Sequence, residues 1–349
     1  MLIFDNKLYI REEKNGITVF NKDDYLYNFY ENIYYKDVEK IEKYNDIVLF
    51  LKNNQEKINK NIKYTSPFRV NWLISETCNL DCIYCFADDK MYNNKNKMSI
   101  LQTAKHILDL NTITVGITGG EPMLNPYFYD VIEFLQDKCA ICVDTNGTII
   151  FHDKMIKKFK LANVFIRITI DSFDNSIIDM VRPSKNKEFN QIKNIEMNLI
   201  KLKEEGISFM IHTVVTQYNK MELESIAQRL IKLGVKRWHL YGVNYCMKCK
   251  NYFEKIKVYN SELKSIYQNL IRKYGKCINI SVFYDEEHYN ERAVLMINQE
   301  GMFYVDTIKN GIIFVGNNPK KPSKEEIKSN LNIDLHCRGY LSENVFNRR

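Results

Sequence analysis

Three cysteines stand close together at Cys78, Cys82 and Cys85, with the spacing CxxxCxxC. They follow the mostly apolar run Phe68–Ile74, so we expect them in a loop after a buried strand. Soft thiolates in tight loops bind iron–sulfur clusters and also suit zinc. A closed structural zinc site needs four ligands, and the next cysteine along the chain is Cys139. Three thiolates would therefore leave one metal coordination position open for chemistry.

The composition is that of an ordinary soluble globular protein. The chain has 349 residues, 45% apolar and 27% charged, which allows one large domain or about two smaller ones. The net charge of +7 arises from 50 basic and 43 acidic residues. The richest basic stretch, Lys52–Lys63, is diluted with asparagine and glutamine and reads as a linker or solvated helix face. Nucleic-acid binding is therefore not expected.

The N-terminus, Met1–Lys7, lacks the basic and apolar regions of a signal peptide. No run approaches the ~18 apolar residues of a membrane span. Nine cysteines without a secretion signal indicate a reducing compartment and roles as ligands or reactive groups. We therefore expect a cytoplasmic protein that does not contact a membrane.

Residues 1–60 are predicted to form a small α+β unit. Residues 1–22 alternate apolar and polar side chains around an Asn-Gly pair that begins at Asn15, which predicts a β-hairpin. Helical patterns follow at Asp24–Tyr34 and Val38–Lys52.

From Phe68 onward, short apolar strands alternate with amphipathic helices. The predicted strands are Arg69–Ile74, Thr112–Thr118, Ala140–Thr145, Val164–Ile170, Ser208–Val215 and Lys236–Tyr241. The predicted helices are Ser99–Leu110, Tyr127–Asp137, Asp153–Lys160, Gln191–Glu205 and Met221–Leu233. Six consecutive units of this kind imply an α/β fold with a parallel barrel or open sheet. Its functional residues gather at the carboxyl ends of the strands, where Cys78–Cys85 falls.

The alternation of strands and helices ends after Gly242, and residues 243–349 are predicted to form a third, smaller α+β region. It contains a helix near Ser261–Lys273, a strand at Ile278–Phe283 and a hairpin region within Met296–Phe314.

The motifs together resemble the signature of the radical S-adenosylmethionine (SAM) superfamily. Aromatic Tyr84 precedes the third cysteine, and Gly119-Gly120-Glu121-Pro122 follows the second predicted strand. Further motifs lie on the later strands in the family's order: Thr145-Asn146-Gly147, Ile168-Thr169-Ile170-Asp171, Thr213-Val214-Val215-Thr216 and Trp238-His239-Leu240. The combination of CxxxCxxC with GGEP is much more specific than CxxxCxxC alone.

The resemblance implies a partial (β/α)6 barrel over residues 68–242 with a [4Fe–4S] cluster on Cys78, Cys82 and Cys85. The open iron would bind the amino and carboxylate groups of SAM. Reductive cleavage would then give a 5′-deoxyadenosyl radical that abstracts hydrogen from the substrate. A flavodoxin- or ferredoxin-type protein would donate the electron. In such enzymes the cofactor carries the radical step, while the protein positions it and excludes water.

The same resemblance implies which residues bind SAM. Glycines allow close backbone approach, a carboxylate adds a charge-assisted contact, and an arginine suits the SAM carboxylate. The candidates are Tyr84, Gly119, Gly120, Glu121, Pro122, Asn146, Thr169, Asp171 and Arg182. Of these, Asn146 and Asp171 are implied for the ribose, Thr169 and Arg182 for the carboxylate, and Tyr84 for the adenine. Without the cysteines, the GGEP segment would be read as a tight turn before a first-turn proline.

The region after residue 242 resembles the SPASM or twitch extensions of radical SAM enzymes that modify peptides. Such extensions hold auxiliary [4Fe–4S] clusters, here on the available cysteines Cys246, Cys249, Cys277 and Cys337. The sequence departs from the family where Val305-Asp306 stands in place of a usual cysteine, so a degenerate extension without a cluster is the alternative. A free thiol at Cys246 would be a hydrogen-atom donor to the substrate.

Two pairs of buried residues are predicted to be structural. Cys139 and Cys142 flank an apolar strand and are expected to be core thiols. His212 and His239 lie inside apolar strands and are expected to be core histidines with satisfied hydrogen bonds.

Three functions remain open from the sequence. The first is a radical SAM enzyme that modifies a ribosomally made precursor peptide by a cross-link, a thioether or epimerisation. Residues 1–60 would then resemble the leader-binding elements of such enzymes, which add a peptide strand to a sheet edge; a structural cap over the barrel is the alternative. The second is a radical SAM enzyme acting on a nucleotide or other small molecule. The third is a zinc-binding interaction protein that uses Cys78–Cys85 with Cys246 and Cys249.

Overall fold

The computed structural model describes residues 1–54, 64–87, 96–185, 189–246, 248–284, 293–307 and 311–340. Most of the predicted basic linker at 52–63 lies outside these ranges. The residues in these ranges form two sheets, one of four strands and one of ten.

The four-stranded sheet occupies the N-terminal unit and is antiparallel throughout. Its strands, in their order across the sheet, are β1 (Leu2–Phe4), β2 (Leu8–Glu13), β3 (Gly16–Asn21) and β4 (Leu26–Glu31), followed by the helices α1 (Tyr35–Val38) and α2 (Tyr44–Asn53). The predicted hairpin is confirmed as β2 and β3, which pair around Asn15 and Gly16.

The predicted helix at Asp24–Tyr34 is wrong, because β4 occupies this stretch. Tyr27 and Phe29 of β4 pack toward the main domain, whereas Tyr30 packs toward α1 and α2. Both faces of the strand are buried, so its sequence lacks the strict polar alternation by which a strand is recognised. Tyrosine and phenylalanine nevertheless favour strands.

The ten-stranded sheet contains the six predicted parallel strands side by side in chain order. They are β5 (Arg69–Ser75), β6 (Thr114–Gly119), β7 (Ala140–Thr145), β8 (Phe165–Thr169), β9 (Phe209–Val215) and β10 (Arg237–Gly242). All six match the prediction to within two residues at either end. The α/β class with a partial (β/α)6 barrel is confirmed.

Four later strands extend this same sheet at its two sides: β11 (Asn279–Phe283), β12 (Leu295–Ile297), β13 (Phe303–Thr307) and β14 (Gly311–Phe314). β11 joins β10 in parallel, β12 joins β5 in parallel, and β13 and β14 continue as an antiparallel hairpin. The region after residue 242 therefore contributes to the main sheet. The divisions at residues 60, 68 and 242 remain predictions from the sequence.

The helices of the main domain are α3 (Lys97–Asp109), α4 (Phe128–Leu135), α5 (Asp153–Leu161), α6 (Asn175–Val181), α7 (Gln191–Glu204), α8 (Leu223–Lys232), α9 (Phe253–Ile256), α10 (Asn260–Tyr274), α11 (Lys324–Asn330) and α12 (Ile333–Tyr340). Apolar residues of α3, α4, α5, α7, α8 and α10 pack with one face of the strands in the largest core cluster. Of the helices in the described ranges, none has the length and apolar character to cross a membrane.

The opposite face of the parallel strands is unusually polar. Alternate residues on neighbouring strands bring Asp144 beside Arg167, and Thr169 beside His212, which in turn lies beside His239. The side chains between them, such as Ile168 and Ile211, belong to the helix-facing core. The sheet thus has an apolar outer face and a polar inner face.

The N-terminal sheet closes the amino end of the barrel. Arg11, which is fully buried, donates hydrogen bonds to the carbonyl oxygens of Ser66 and Pro67, both at 2.9 Å, just before β5. The hydroxyls of Tyr27 and Thr114 lie 2.6 Å apart at the start of β6. The cysteine loop is at the other end of the strands, so the N-terminal unit is the floor of the barrel.

Candidate functional site

The cysteine loop starts beyond β5 and is held by backbone hydrogen bonds to the segment after α6. The amides of Asp81 and Ile83 donate to the carbonyls of Pro183 and Val181 at 2.8 and 3.0 Å. Leu80 forms an isolated antiparallel bridge with Ser184. These contacts fix the loop at the carboxyl end of the sheet, where the fold was expected to place its chemistry.

The thiols of Cys78, Cys82 and Cys85 belong to partly exposed residues and are unbridged. Burial raises the pKa of Cys82 to about 12, and Arg182 lowers it, while Cys85 and Cys78 raise it further. The Sγ atom of Cys78 accepts hydrogen bonds from the Leu80 amide (3.4 Å) and from Asn146 Nδ2 (3.7 Å).

Three soft thiols on one loop fit the donor set of a [4Fe–4S] cluster that keeps one iron free. Among the described residues, no three His, Cys, Asp or Glu side chains are grouped so that they could hold a single metal ion. Soft thiolates of this kind are the ligands expected for an iron–sulfur cluster.

The two glycines of the GGEP motif bring β6 against the start of the cysteine loop. Gly119 has φ +142°, and a Cβ atom there would lie 2.4 Å from the Ser75 carbonyl oxygen. A Cβ on Gly120 would lie 2.4 Å from the carbonyl oxygen of Thr77 and 3.1 Å from Cys78 Cβ. Only glycine permits this approach of two backbones. Pro122 begins a 3₁₀ turn, as a first-turn proline should.

Glu121 is fully buried and faces the end of β7. Each of its carboxylate oxygens lies 2.9 Å from the Thr145 hydroxyl, and Oε2 accepts the Asn146 amide at 2.9 Å. Burial raises the Glu121 pKa to about 7, while these hydrogen bonds oppose the shift. The carboxylate joins the ends of β6 and β7, so it positions Asn146 in this structure.

Asn146 in turn contacts the cysteine loop. Its Nδ2 donates to Asn79 Oδ1 at 2.8 Å as well as to Cys78 Sγ, and its Oδ1 accepts the amide of Thr148 at 2.9 Å. The side chain therefore has a fixed orientation at the carboxyl end of β7.

Arg182 and Asp171 form the other side of the site, and both are buried. Arg182 donates to the carbonyl oxygens of Thr169 and Asn146, and its Nε lies 3.9 Å from Asp171 Oδ2. Asp171 accepts hydrogen bonds from the Tyr84 hydroxyl and, at 2.8 Å, from the amide of Val214. Burial raises the pKa of the Asp171 carboxyl, while the nearby Arg182 lowers it.

The structure thus brings all twelve predicted cluster and SAM residues to one end of the sheet. Contacts of Asn146, Arg182 and Asp171 link the cysteine loop to the ends of β7 and β8. The arrangement can hold a metal cluster against a small polar ligand beside the interior of a barrel.

The four cysteines predicted for an auxiliary cluster are not brought together. Cys246 and Cys249 are adjacent, with their sulfurs 3.3 Å apart, and pack with Ile83 and Tyr84 of the cysteine loop. Cys277 is exposed beyond α10. Cys337 is buried at the barrel floor, where its thiol lies 3.6 Å from the Ser66 carbonyl oxygen.

The outcomes for the residues predicted to be structural differ. Cys139 and Cys142 are confirmed as buried core thiols. His212 and His239 stack on each other on the inner face, with ring centroids 5.5 Å apart. The prediction of satisfied hydrogen bonds is wrong for His212, because its buried Nε2 has no partner within the described chain.

The inner face also carries residues that the sequence analysis missed. Arg69, Asp144 and Arg167 lie within strands that were predicted from their apolar residues. Because those strands were read as apolar on both faces, the charged residues were not assigned to one face. The available signal was the single charged residue within each of these otherwise largely apolar strands.

Comparison with known proteins identifies the central part of the chain. The profile of the Radical SAM superfamily matches residues 72–230. An uncharacterised protein of Methanocaldococcus jannaschii is 34% identical over 174 residues, which cover 47% of this chain and 58% of that protein. A nucleotide dehydratase of Fibrobacter sp., described as S-adenosylmethionine-dependent, is 30% identical and covers 49% and 54%. The antilisterial bacteriocin subtilosin biosynthesis protein AlbA of Bacillus subtilis is 24% identical and covers 50% and 39%.

The chain spans about half the length of the curated relatives that it matches. Among solved structures, Streptococcus suis SuiB bound to S-adenosylmethionine has a TM-score of 0.68 at 13% identity, covering 97% of this chain and 90% of SuiB. SuiB bound to its precursor peptide SuiA has a TM-score of 0.64 at 14% identity, covering 87% and 82%. At this identity the likeness establishes the fold.

Proposed function

We propose that the protein is a radical SAM enzyme, on the basis of the superfamily's match to residues 72–230, and that its substrate is a ribosomally made precursor peptide. The reaction would be a hydrogen abstraction at an unactivated C–H bond that leads to a cross-link, a thioether or an epimerised residue. The bond that forms depends on the peptide.

The observation that carries the proposal is the extent of the shared fold. The likeness to SuiB covers 97% of the chain and so reaches beyond the radical SAM domain into the N-terminal unit and the later strands. SuiB has been solved with a precursor peptide, and AlbA is a bacteriocin biosynthesis protein. Both facts concern those proteins, and they support the same substrate class here.

Cys78, Cys82 and Cys85 would hold a [4Fe–4S] cluster, and Gly119–Pro122 with the polar residues beyond β7 and β8 would enclose SAM. When bound, the cluster and SAM supply a 5′-deoxyadenosyl radical after one-electron reduction. Asn146 donates a hydrogen bond to the Cys78 sulfur and so tunes and orients this ligand. Arg182 keeps the loop in register with the strand ends.

We infer one cluster per chain, since Cys277 and Cys337 lie away from the adjacent pair Cys246 and Cys249. Cys246, only 3.3 Å from Cys249 and next to Tyr84, would return a hydrogen atom to the substrate radical. An external flavodoxin- or ferredoxin-type protein would deliver the electron. Free thiols at all nine cysteines suit the reducing cytoplasm, in which we place the protein.

A leader segment of the peptide would add a strand to the four-stranded sheet. Of the two edges, β4 offers six residues and β1 offers three. Deleting residues 1–60 would also remove the barrel floor, so hydrogen exchange is the better test. Slower amide exchange in β1 or β4 on addition of the precursor supports strand addition, and unchanged exchange there overturns it.

The second candidate is a nucleotide substrate, which the 30% identity to the Fibrobacter nucleotide dehydratase favours.

The experiment that tests the proposal is modification of the peptide encoded by a short open reading frame beside the gene. The enzyme is reconstituted anaerobically and incubated with SAM, a reductant and either that peptide or a panel of nucleoside triphosphates. A mass change in the peptide that requires Cys78, Cys82 and Cys85 supports the proposal. A converted nucleotide with an unchanged peptide contradicts it.

A further inference from the structure

A strand of the region after residue 242 ends beside the start of the cysteine loop. β12 lies parallel to β5, with Met296 opposite Asn71 and Ile297 opposite Trp72. Neighbouring strands of a sheet lie about 4.8 Å apart, and parallel partners run toward the same edge of the sheet. The turn after β12 therefore lies next to the last residues of β5, from which the cysteine loop begins.

This turn has a fixed shape. Oδ1 of the buried Asn298 accepts the amides of Glu300 and Met302 at 3.0 and 2.9 Å. Gly301 has φ +79°, and a Cβ atom there would lie 2.3 Å from Oγ1 of Thr103 in α3. The turn is thus closed by its own hydrogen bonds and packed closely against α3. Its backbone gives the one residue between Asn298 and Glu300 a defined position.

That residue is Gln299, which reaches the candidate site. Gln299 is 4% exposed, and its Nε2 donates a hydrogen bond to the carbonyl oxygen of Ser75 at 3.3 Å. The same oxygen accepts the amide of Gly120 at 2.8 Å. One carbonyl group therefore receives a hydrogen bond from the GGEP motif and another from the region after residue 242.

The Ser75 carbonyl lies where the two motifs meet. The amide of Thr77 donates to Ser75 Oγ at 3.2 Å, and the carbonyl oxygen of Thr77 accepts the Glu121 amide at 2.7 Å. The first cluster cysteine follows directly. Because Gly119 and Gly120 have no side chains, the hydrogen bonds of the surrounding backbone fix their position.

The later strands also contact the other end of the cysteine loop. Met296 of β12 and Tyr304 of β13 belong to one buried apolar cluster, and Cys85 and Phe86 pack against it. The region after residue 242 thus supports the loop both before its first cysteine and at its third.

We propose that Gln299 is a positioning residue for SAM, because it holds the Ser75 carbonyl and through it the Gly119–Gly120 backbone that would enclose SAM. This inference rests on the part of the proposed function that assigns SAM to the site, and it holds for a peptide and a nucleotide substrate alike. Gln299 acts through the backbone and needs no contact with SAM. Its loss leaves the three cysteines in place, so the cluster should assemble while SAM binds more weakly.

Two variants remove the hydrogen bond in different ways. Gln299→Glu keeps the shape of the side chain and replaces the Nε2 donor with a carboxylate oxygen. Gln299→Met keeps the length and removes both polar atoms. The matched control is Thr112→Val, which removes a similarly buried hydrogen bond from Thr112 Oγ1 to the carbonyl oxygen of Phe68, 3.0 Å away at the amino end of the sheet.

Two measurements separate positioning from a general loss of stability. The first is the SAM affinity of the anaerobically reconstituted full chain, followed by titrating SAM against the electron paramagnetic resonance spectrum of the reduced cluster. We expect the dissociation constant to rise about fivefold in both Gln299 variants, as the loss of one hydrogen bond implies. Their iron content should equal that of the wild type, and Thr112→Val should keep the wild-type affinity.

The second measurement is hydrogen exchange of the reconstituted proteins without SAM. The peptic peptide that contains Gly119–Glu121 should exchange faster in the Gln299 variants than in the wild type or Thr112→Val, because the Ser75 carbonyl that accepts the Gly120 amide is less firmly held. This readout does not depend on catalysis.

Wild-type SAM affinity in both Gln299 variants overturns the proposal. Equal weakening by Thr112→Val also overturns it, because it would show a general loss of stability. If one of the two Gln299 variants does not fold, the other decides alone. A wild-type cluster signal that does not respond to SAM contradicts the proposed function and this inference with it, whereas an equal response in the wild type and the Gln299 variants contradicts the role of Gln299 alone.

Discussion

Nη2 of Arg182 donates a hydrogen bond to the backbone carbonyl oxygen of Asn146 at 3.0 Å. This contact joins the segment after α6 to the end of β7, and the same guanidinium also contacts the Thr169 carbonyl and lies near Asp171. Because the cysteine loop is bonded to the residues on either side of Arg182, one buried side chain positions both the thiols and the strand ends.

We expect Arg182→Lys to destabilise the site although it preserves the charge. Lysine lacks the planar fork that reaches two carbonyls at once, so at least one buried acceptor is left unpaired at a cost of about 1–3 kcal/mol. Chemical denaturation measures the loss, and SAM cleavage by the reconstituted enzyme should fall with it. The matched control is Arg229→Lys on the surface of α8. Equal stability of the two variants would show that Arg182 does not organise the site.

The floor of the barrel should depend on the buried pair of Arg11 and Glu13. Arg11 Nη2 lies 2.6 Å from Glu13 Oε1, and neither side chain is exposed. Arg11→Met leaves a buried carboxylate without its partner, which costs about 3–5 kcal/mol. Lys160→Met breaks the exposed pair with Glu205 and should change stability little. Urea denaturation of both variants compares them, and similar midpoints would contradict a structural role for the N-terminal unit.

Gly116 makes room for Arg69 on the inner face. A Cβ atom at this position would lie 2.1 Å from Arg69 Nη2 and 2.7 Å from Asn71 Oδ1. Gly116→Ala should therefore displace the guanidinium and cost about 1–3 kcal/mol. Gly242→Ala, in β10, would meet only Leu263 at an ordinary 3.7 Å and serves as the control. Thermal unfolding checks the pair, and a tolerated Gly116→Ala would mean that Arg69 is not held where the structure places it.

The neutral histidines predict how stability depends on pH. The pKa of His239 is lowered from 6.5 to about 3 by burial and by Arg167 and Arg237. The unfolded chain therefore takes up a proton that the folded chain refuses, so the free energy of unfolding falls as the pH drops from 6.5 toward 3. His239→Gln should make this decline shallower.

Denaturation midpoints at pH 7.5 and pH 5 measure the effect. His152→Gln, which replaces an exposed imidazole at the start of α5, is the control and should keep the wild-type slope. An unchanged slope in His239→Gln would show that the imidazole is protonated in the folded protein.

The sequence was most informative where one element has one simple environment. Helices cover one face of the parallel strands β5 to β10, and glycines or polar residues flank the strands. The strands could therefore be located as apolar runs between turn-forming residues. The CxxxCxxC and GGEP motifs could be recognised from the sequence because clustered cysteines and a Gly-Gly-Glu-Pro segment are rarely explained by core packing.

The remaining features depend on contacts that no local pattern contains. β4 packs against the main domain on one face and against α1 and α2 on the other. Its sequence therefore lacks the alternation of apolar and polar residues that would have identified a strand. The motif implies Glu121 as a charge-assisted ligand contact, and no local pattern shows that its carboxylate also lies 2.9 Å from the Thr145 hydroxyl. The approach of Arg69 on β5 to Asp144 on β7, at 3.7 Å, joins two strands that are not neighbours in the sheet.

The central claim is that Cys78, Cys82 and Cys85 hold the cluster that cleaves SAM. Its most direct measurement is the formation of 5′-deoxyadenosine by the anaerobically reconstituted enzyme, alongside iron content, in the wild type and in the variant with all three cysteines changed to alanine. We predict about four irons per chain and SAM-dependent 5′-deoxyadenosine for the wild type, with both lost in the variant. Tight zinc binding without SAM cleavage, or cleavage that survives in the variant, would contradict the account.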